Sequence, residues 1–472
     1  MNILYAVSES APFIKTGGLG DVAGALPQAI KRKGIACAVI LPLYEDIAVS
    51  YKEKMEFIST VYVPVGWRNQ YAGLFLYKKS GVNYYFIDNE YYFKRPGIYG
   101  YYDDAERFAF FSRAILELLP FLEESPDVIH CNDWQTALVP VYLDLFYRGD
   151  EKYTNIKTVF TIHNIAYQGK YDKFLLNEIL GIDNGALSIL EYDNCINFMK
   201  GGIERANIVT TVSKTYANEI MDPYFAHSLE RILQGRAYKV RGIVNGIDTK
   251  LFDPQKDKNL PYNYNLQTLE NKEKNKQELL YELGLEYKKD TPVVAMITRL
   301  ANHKGIDLVR AVIGDIISRD IIFVVLGQGE KEYEYMLQNA QRSAPGKVCA
   351  YIGFSGGLAN RIYAGADLFL MPSQSEPCGL SQMMAMRYGT IPIVRETGGL
   401  KDTVIPYNPE TGTGTGVTFQ SYNAYDMLNA IDRAIDFYRD KKIRNSLINR
   451  CMTADFSWKS AANEYIGIYK EL

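Results

Sequence analysis

Short apolar runs of strand length recur along the whole chain and alternate with segments of helical pattern. Ten of these runs are rich in Val, Ile, Leu and aromatic residues: ILYAV, ACAVILP, NYYFID, DVIH, TVFTIH and NIVTTVS in the first half, then PVVAMIT, IIFVVLG, DLFLMPS and TIPIVR. Continuous runs of this kind suit strands that helices cover on both faces. The alternation therefore predicts an α/β protein built on two doubly wound, parallel sheets.

Chain length and a local change in composition predict where the two sheets separate. The chain has 472 residues, whereas a single core usually stops growing at about 250–300 residues. After GIVNGID the sequence turns polar and rich in Asn and Lys, and a helix is expected at 277–283. We expect one domain at 1–243, a second at 244–456, and a terminal helix at 457–472 that packs back on a domain.

Overall composition excludes several classes of partner. The net charge is only −3, so no strong field gathers nucleic acid or an anionic membrane. The N-terminal residues MNILYAVSES have no basic segment and an apolar run too short for a signal peptide, which predicts a cytoplasmic protein. Six cysteines are spread without a CxxC pair, which predicts reduced thiols with no disulfide framework and no zinc site.

The segment KTGGLGDV lies between the first predicted strand and a helix. Gly17, Gly18 and Gly20 allow the backbone to approach an anion, the helix N-terminus faces the same place, and Lys15 adds a full positive charge. A phosphate is the expected ligand, and an ordinary glycine-rich turn is the alternative. The motif is neither GxGxxG nor GxxxxGK[ST], so it indicates neither a nucleotide-dependent dehydrogenase nor a P-loop protein.

Two further motifs follow strands of the second half. In TRLANHKGIDL, Arg299 follows a strand and Lys304 precedes the predicted helix GIDLVRAVIGDI. An Arg and a Lys together suit a diphosphate leaving group, and two solvated surface cations are the alternative. In PSQSEPCGLSQMMAMRYG, Glu376 lies in a loop and Gly379 is expected to begin a helix. This carboxylate could accept hydrogen bonds from sugar hydroxyls, or it could merely cap the helix.

These motifs occur in one order with HCNDWQTAL (130–138), TIHNIAYQG (161–169), GIVNGID (242–248) and SEPCGLSQMMAMRYGTIPIVRETGGLKDTV (375–404). Over essentially its whole length the chain resembles the bacterial glycogen synthases and plant starch synthases. The resemblance implies a GT-B fold, with two Rossmann-like domains facing a deep cleft and a C-terminal helix that crosses back to the first domain. It implies transfer of glucose, usually from ADP-glucose, to the non-reducing end of an α-1,4-glucan such as glycogen. The anomeric configuration is retained, and neither a metal nor another cofactor is needed.

The resemblance also implies roles for single residues in the first domain. Lys15, Gly17 and Gly18 match the loop that approaches the donor phosphates and glucose, and Asp21 matches a carboxylate directed toward the acceptor. The other residues of this domain are His163 beside the reacting carbon and Tyr99 in reach of the donor. Asn245, just after the expected boundary between the domains, matches the hinge-region asparagine near the donor sugar.

In the second domain, Arg299 and Lys304 match the pair that grips the diphosphate and stabilises the leaving nucleotide. Glu376 matches the acidic residue that holds the donor glucose hydroxyls. The remaining matches are backbone contacts at Gly379 and Leu380, an aromatic residue on the adenine at Phe354, and the loop of Thr397, Gly398 and Gly399 near the phosphates.

Two positions and three rival functions bear on this interpretation. Met384 stands where many retaining relatives carry a second glutamate, which argues against sucrose-, mannose- or trehalose-type transferases, and Asn132 stands where some family members have histidine. Glycogen phosphorylase shares the fold, but nothing in the sequence identifies a pyridoxal phosphate lysine. If the protein were a regulator derived from an inactive transferase, at least one of four key residues should be missing. All four are present: Lys15, Arg299, Lys304 and Glu376. The choice between ADP-glucose and UDP-glucose stays open.

Overall fold

The computed structural model describes all 472 residues and divides into two compact units. The first unit comprises Met1–Gly246 with Trp458–Leu472, and the second comprises Ile247–Ser457. Each unit is organised around a mainly parallel sheet, so the predicted α/β class is confirmed. None of the helices combines the length and the hydropathy that crossing a membrane requires.

The first unit contains a nine-stranded sheet and a small three-stranded antiparallel sheet. Its strands are β1 (Asn2–Ala6), β2 (Ala36–Pro42), β3 (Glu56–Val65), β4 (Arg68–Lys79), β5 (Val82–Asp88), β6 (Val128–Asn132), β7 (Lys157–Ile162), β8 (Lys170–Tyr171), β9 (Glu191–Tyr192), β10 (Cys195–Asn197), β11 (Ile208–Thr211) and β12 (Val240–Gly242). The large sheet has the order β12-β11-β7-β6-β1-β2-β5-β4-β3, and the small sheet has the order β8-β10-β9. Strand β1 therefore lies between β2 and β6, parallel to both.

One edge of the large sheet departs from the predicted parallel arrangement. Strand β4 runs antiparallel to both β3 and β5. Strands β3 and β4 are joined by only two residues, Gly66 and Trp67, which is too short for the crossover that a parallel pair needs. In β3, Val63 and Val65 are buried whereas Tyr62 is exposed, an alternation typical of a strand with one solvent-facing side.

The helices of the first unit that precede the second unit vary in length. They are α1 (Gly18–Lys31), α2 (Val49–Lys52), α3 (Glu90–Phe93), α4 (Asp104–Leu118), α5 (Leu138–Tyr142), α6 (Glu151–Thr154), α7 (Leu175–Glu178), α8 (Phe198–Arg205), α9 (Lys214–Glu219) and α10 (Glu230–Gly235). Helix α1 buries Val22, Leu26 and Ile30, a spacing that places their side chains on one helical face. The burial of this face fixes the helix that begins within KTGGLGDV, at Gly18.

The second unit contains a six-stranded parallel sheet. Its strands are β13 (Val293–Ile297), β14 (Ile322–Gly327), β15 (Val348–Ile352), β16 (Leu368–Met371), β17 (Ile391–Arg395) and β18 (Val417–Phe419), in the order β15-β14-β13-β16-β17-β18. In β13, Val294 and Met296 pack in one hydrophobic cluster, whereas Val293 and Ala295 pack in another. Strand β13 is thus apolar on both faces, as its continuous sequence run predicts.

The helices of the second unit correct two expectations. They are α11 (Glu270–Glu282), α12 (Ile306–Ala311), α13 (Ile313–Ser318), α14 (Lys331–Ser343), α15 (Gly356–Gly365), α16 (Ser381–Arg387), α17 (Gly398–Thr403), α18 (Ala424–Arg439) and α19 (Lys441–Thr453). Helix α11 begins seven residues before the predicted 277, because its polar first turns still bury Lys272 and Asn275. GIDLVRAVIGDI forms two short helices, since the β-branched Val312 leaves helical dihedral angles at φ −128° and ψ 22°.

The C-terminal helix α20 (Trp458–Glu471) belongs to the first unit. Its buried face includes Trp458, Ala462, Tyr465 and Tyr469, as predicted, whereas Ile466 is only half-buried and Ile468 is buried in its place. The Tyr469 hydroxyl lies 2.7 Å from His130 Nδ1, at strand β6.

Both large sheets reverse their strand order beside the first strand of the unit. In the first unit the reversal lies between β1 and β6, and in the second it lies between β13 and β16. Loops at the carboxyl ends of strands flank a crevice at such reversals, and ligands of α/β proteins usually bind there. KTGGLGDV follows β1 and HCNDWQTAL spans the end of β6, whereas TRLANHKGIDL follows β13 and the EPCGL loop follows β16.

Candidate functional site

An ion pair joins the two loops at the strand reversal of the second unit. Lys304 follows β13 on a 3₁₀ turn, and its Nζ lies 2.7 Å from Glu376 Oε2, in the loop after β16. Ser373 Oγ donates a second hydrogen bond of 3.0 Å to the same carboxylate oxygen. Glu376 is 7% exposed. The sequence places both residues in the site, but it does not reveal their direct pairing or the role of Ser373.

A close backbone contact holds these loops against each other. Gly305 has φ +76°, and a Cβ there would lie 2.2 Å from the carbonyl oxygen of Pro372. Any larger residue at this position would separate the loops that carry Lys304 and Glu376.

The EPCGL loop also packs on the loop that contains Gly398 and Gly399. The Gly399 N–H donates to the carbonyl oxygen of Glu376 at 3.1 Å. Gly398 has φ +43°, and a Cβ there would lie 2.0 Å from that carbonyl oxygen. A Cβ at Gly399 would lie 2.1 Å from the carbonyl oxygen of Cys378. Both glycines are therefore required for the contact between the loops, and both were singled out from the sequence.

Gln382 supports the same loop and was not identified from the sequence. Its Nε2 donates to the carbonyl oxygens of Cys378 and Gly379 and to Thr403 Oγ1. The predicted helix start at Gly379 is wrong. Gly379 has φ +69°, and the helix begins at Ser381 after Leu380 at its N-cap, because an αL residue does not continue a right-handed helix.

The other residues predicted in this unit do not join the ion pair. Arg299 follows β13 on an exposed part of the loop and forms no ion pair. Phe354 follows β15 and is 85% exposed. Thr397 is buried at the N-cap of α17. The structure thus directly joins Lys304, Glu376, Gly398 and Gly399, and it leaves Arg299 and Phe354 as exposed side chains.

In the first unit, the KTGGLGDV loop turns from β1 into α1 as predicted. Gly17 is the N-cap and Gly18 is the first residue of the helix. Lys15 Nζ lies 2.8 Å from Asp21 Oδ1, and both side chains are exposed. A Cβ at Gly20 would lie 2.4 Å from the Lys15 Cβ, so this glycine is required for the loop to fold back on the helix.

Glu9 holds this loop in place through hydrogen bonds and was not identified from the sequence. Its Oε2 accepts hydrogen bonds from the main-chain N–H and the hydroxyl of Thr16. The side chain is buried, and burial raises the pKa of Glu9 above its ordinary value. The only sequence signal is a carboxylate that follows β1 and precedes the glycine loop.

Three polar residues meet at the carboxyl ends of β6 and β7. His163 Nε2 lies 2.9 Å from Asn132 Oδ1, and the His163 main-chain N–H donates to Asp133 Oδ1 at 2.7 Å. Burial lowers the pKa of His163 to about 3, so its imidazole is neutral. Burial also raises the pKa of the Asp133 carboxyl to about 7.

The backbone at Asp133 is strained. Its φ of 55° and ψ of −179° lie in a region that glycine favours and other residues rarely occupy. Such strain persists where the surrounding structure holds a residue in place, and it is concentrated at functional sites.

Tyr99 and Asn245 complete the predicted set in the first unit. The Tyr99 hydroxyl lies 2.7 Å from Ser8 Oγ, next to Glu9 and the end of β1. Asn245 is buried, and its Oδ1 has no hydrogen-bond partner. Asn245 is thus the one predicted residue with a buried polar atom that the protein leaves unsatisfied.

A cavity of about 470 Å³ lies beside the loop after β7. Its walls include Trp134, Tyr167, Tyr171 and Lys170. Tyr167 is 57% exposed. Aromatic faces with a nearby polar group suit the apolar and hydroxyl faces of sugar rings.

Two family models match this chain in succession. Residues 2–235 match a model described as the starch synthase catalytic domain, and residues 284–450 match one described as glycosyl transferases group 1. The glycogen synthase of Exiguobacterium sibiricum is 50% identical, over 100% of this chain and 99% of that protein. The glycogen synthase of Geobacillus stearothermophilus is 49% identical, over 100% of this chain and 98% of that protein.

Two solved structures match this chain over its whole length. The catalytic domain of starch synthase IV from Arabidopsis thaliana, bound to ADP and acarbose, matches with a TM-score of 0.91 and 35% identity, covering 100% of this chain and 99% of that one. Sucrose-phosphate synthase from Thermosynechococcus elongatus matches with a TM-score of 0.63 and 18% identity, covering 100% of this chain and 98% of that one. The second match supports the fold alone.

Proposed function

The chain belongs to the family of glycogen and starch synthases and is a glycosyltransferase, and from this membership we propose its donor, its acceptor and its catalytic residues. The donor is ADP-glucose, and the acceptor is the non-reducing end of an α-1,4-glucan. The reaction retains the anomeric configuration and needs no metal. The second unit binds the donor nucleotide sugar, and the first unit binds the acceptor.

The ion pair between Lys304 and Glu376 is the observation that carries this proposal. Both hydrogen bonds to the Glu376 carboxylate go to Oε2, so Oε1 can accept from the glucose hydroxyls. The Lys304 ammonium has three donors, of which one serves Glu376. The other two can reach phosphate oxygens, so this pair links recognition of the sugar to recognition of the diphosphate.

Arg299 and the neighbouring loops complete the donor site. The guanidinium of Arg299 is exposed and has no carboxylate partner, so it is available to bind the diphosphate in bidentate fashion. Backbone groups of Gly379, Leu380, Thr397, Gly398 and Gly399 line the phosphates and the glucose. The exposed ring of Phe354 stacks on the adenine.

The first unit contributes the acceptor side. Lys15, Gly17 and Gly18 approach the donor phosphates and glucose, and Asp21 is directed toward the acceptor. The glucan extends into the aromatic cavity beside Tyr167. His163 lies beside the reacting carbon, whereas Tyr99 and Asn245 contact the donor sugar.

The reaction breaks the bond between the glucose C1 and the diphosphate oxygen. Arg299 and Lys304 stabilise the negative charge that develops on the leaving ADP, while C1 gains oxocarbenium character. The 4-hydroxyl of the terminal glucan residue attacks C1 from the same face and forms the new C1–O4 bond. Its proton passes to a phosphate oxygen of the departing ADP. Because the acceptor hydroxyl attacks C1 directly, no enzyme carboxylate acts as a nucleophile.

Product analysis tests the linkage and the stereochemistry together. Purified enzyme is incubated with ADP-glucose and maltoheptaose, and the anomeric protons of the products are followed by proton NMR. We expect longer oligosaccharides with new α-1,4 signals only. Products with β-configured linkages, or free glucose without elongation, would overturn the proposal.

A further inference from the structure

Hydrogen bonds to main-chain carbonyl groups fix the orientation of the Asn132 side-chain amide. Its Nδ2 lies 3.0 Å from the carbonyl oxygen of Ala6 and 3.2 Å from that of His130. Both partners are acceptors only, so the atom that faces them must be the NH₂ group. The opposite orientation would bring three oxygen atoms together in a fully buried place.

The Asn132 carbonyl oxygen is therefore presented on the other side. Tyr5 donates its hydroxyl to Asn132 Oδ1 at 2.9 Å. His163 Nε2 lies 2.9 Å from the same atom. An amide oxygen can only accept, so His163 Nε2 must carry the proton and donate it. In a neutral imidazole the other nitrogen, Nδ1, is then an acceptor.

No carboxylate touches the His163 ring. Asp133 accepts from the main-chain N–H of His163 and not from the imidazole. Both ring nitrogens of the nearby His130 are hydrogen-bonded, one to Tyr469 and the other to Thr161. Burial lowers the pKa of His130 to about 3. Glu9 is bonded to Thr16. An amide partner favours the neutral ring, whereas a carboxylate partner would favour the imidazolium.

We propose that Asn132 is a positioning residue that holds His163 as the neutral Nε2–H tautomer and directs its Nδ1 as a hydrogen-bond acceptor toward a substrate sugar hydroxyl. His163 Nδ1 has no hydrogen-bond partner within the protein. The residues of this hydrogen-bonded group come from three adjacent strands. Tyr5 and Ala6 lie in β1, Asn132 ends β6 and His163 follows β7. The role toward the sugar rests on the proposed function, whereas the tautomer follows from the protein alone.

The tautomer can be read directly by NMR, because the chain has only four histidines. Protein labelled with ¹⁵N-histidine is studied at pH 7.5 without substrate, and the His163→Gln variant identifies the His163 signals. We expect a pyrrole-type shift for Nε2 and a pyridine-type shift for Nδ1. A proton on Nδ1, either alone or together with one on Nε2, would overturn the proposal.

Variants then test whether Asn132 determines the tautomer of His163. Asn132→Leu is close in shape but cannot accept from His163, so the His163 shifts should move toward an average of two tautomers. The kcat for glucan elongation should fall at least tenfold. If this variant folds and keeps both the wild-type shifts and the wild-type kcat, the proposal is wrong.

Two control variants separate positioning from general damage. Asn89→Leu removes another buried asparagine of the first unit, which bonds Tyr71 and Tyr92, and it should leave the His163 shifts unchanged. Tyr5→Phe removes one bond to Asn132 Oδ1 but keeps the amide in place, so the Nε2–H tautomer should persist. A tautomer change in either control would contradict the assignment to Asn132.

The NMR result does not depend on the donor, so absence of elongation activity would refute the proposed function and leave the tautomer result standing.

Discussion

Lys304 Nζ and Glu376 Oε2 lie 2.7 Å apart although the two residues are 72 positions apart in the chain. The contact spans the place where the second sheet reverses its strand order, between β13 and β16. Because Glu376 is buried, its charge is stabilised chiefly by Lys304 and Ser373. The pair is thus positioned by the fold before any substrate binds, which is the arrangement that electrostatic catalysis requires.

Lys304→Ala and Glu376→Ala should each lower kcat for elongation by about 100-fold or more, a loss near 3 kcal/mol of transition-state stabilisation. Lys304→Ala also leaves a buried carboxylate without its cation. Steady-state kinetics of glucan elongation measures the effect. Lys288→Ala is the matched control, because Lys288 pairs with Glu286 in an exposed place. Near-normal turnover in either site variant would show that its assigned role is wrong.

Gly398→Ala should weaken donor binding, because the new Cβ would push the Glu376 carbonyl away from the loop that contains Gly398 and Gly399. The KM for ADP-glucose should rise at least tenfold. Gly412→Ala carries the same positive-φ penalty at φ +64° but has no atom within 4 Å of the new Cβ. Equal kinetic effects in the two variants would mean that backbone strain alone, and not the contact with Glu376, is responsible.

Lys272→Met should destabilise the second unit by about 2–4 kcal/mol. The buried ammonium donates to the carbonyl oxygens of Ala364 and Ala366 and to Thr390 Oγ1, each at 2.9 Å. Methionine would fill the space but remove these three hydrogen bonds. Denaturant unfolding measures the change, with the exposed Lys274→Met on the same helix as the control. A loss below about 0.5 kcal/mol, the size expected of a surface substitution, would contradict this account.

Asp133→Asn should change the dependence of stability on pH. The pKa of the Asp133 carboxyl is about 7 in the folded protein and about 3.9 in an unfolded chain. Between these values the folded state binds more protons, so this residue contributes stability that is lost as pH rises from about 4 to 7. Asparagine can still accept the main-chain hydrogen bond without ionising. The melting temperature of the variant relative to wild type should therefore rise from pH 5 to pH 8, and a constant difference would refute the assignment.

The parallel strands could be predicted because burial on both faces leaves a continuous apolar run. The ten runs recognised in the sequence all correspond to strands, and β13 is typical, with side chains of both faces in separate hydrophobic clusters. Strands β3 and β4 were missed because one of their faces is exposed, so Tyr62 and other residues interrupt the pattern. The break at Val312 depends on two dihedral angles that no periodicity reveals.

The site could be predicted in part, since glycines, cations and a carboxylate after parallel strands form recognisable motifs. Gly398 was singled out, and its close approach to Glu376 explains why only glycine fits. The supporting residues Glu9, Gln382 and Asn132 were given no such role, because each acts through hydrogen bonds to main-chain groups that no sequence motif marks. Glu9 and Gln382 bond the turns beside them, and Asn132 bonds a strand 126 residues away. Such partners become visible only when the fold brings them together.

The most direct test of the proposed function is release of nucleotide from ADP-glucose and from UDP-glucose, each with and without glycogen, while elongation of the glycogen is followed. We predict ADP release that depends on the glycogen primer and matches the glucose added to it, with little turnover of UDP-glucose. Absence of turnover with either donor by a folded protein, or nucleotide release without elongation, would contradict the proposed function.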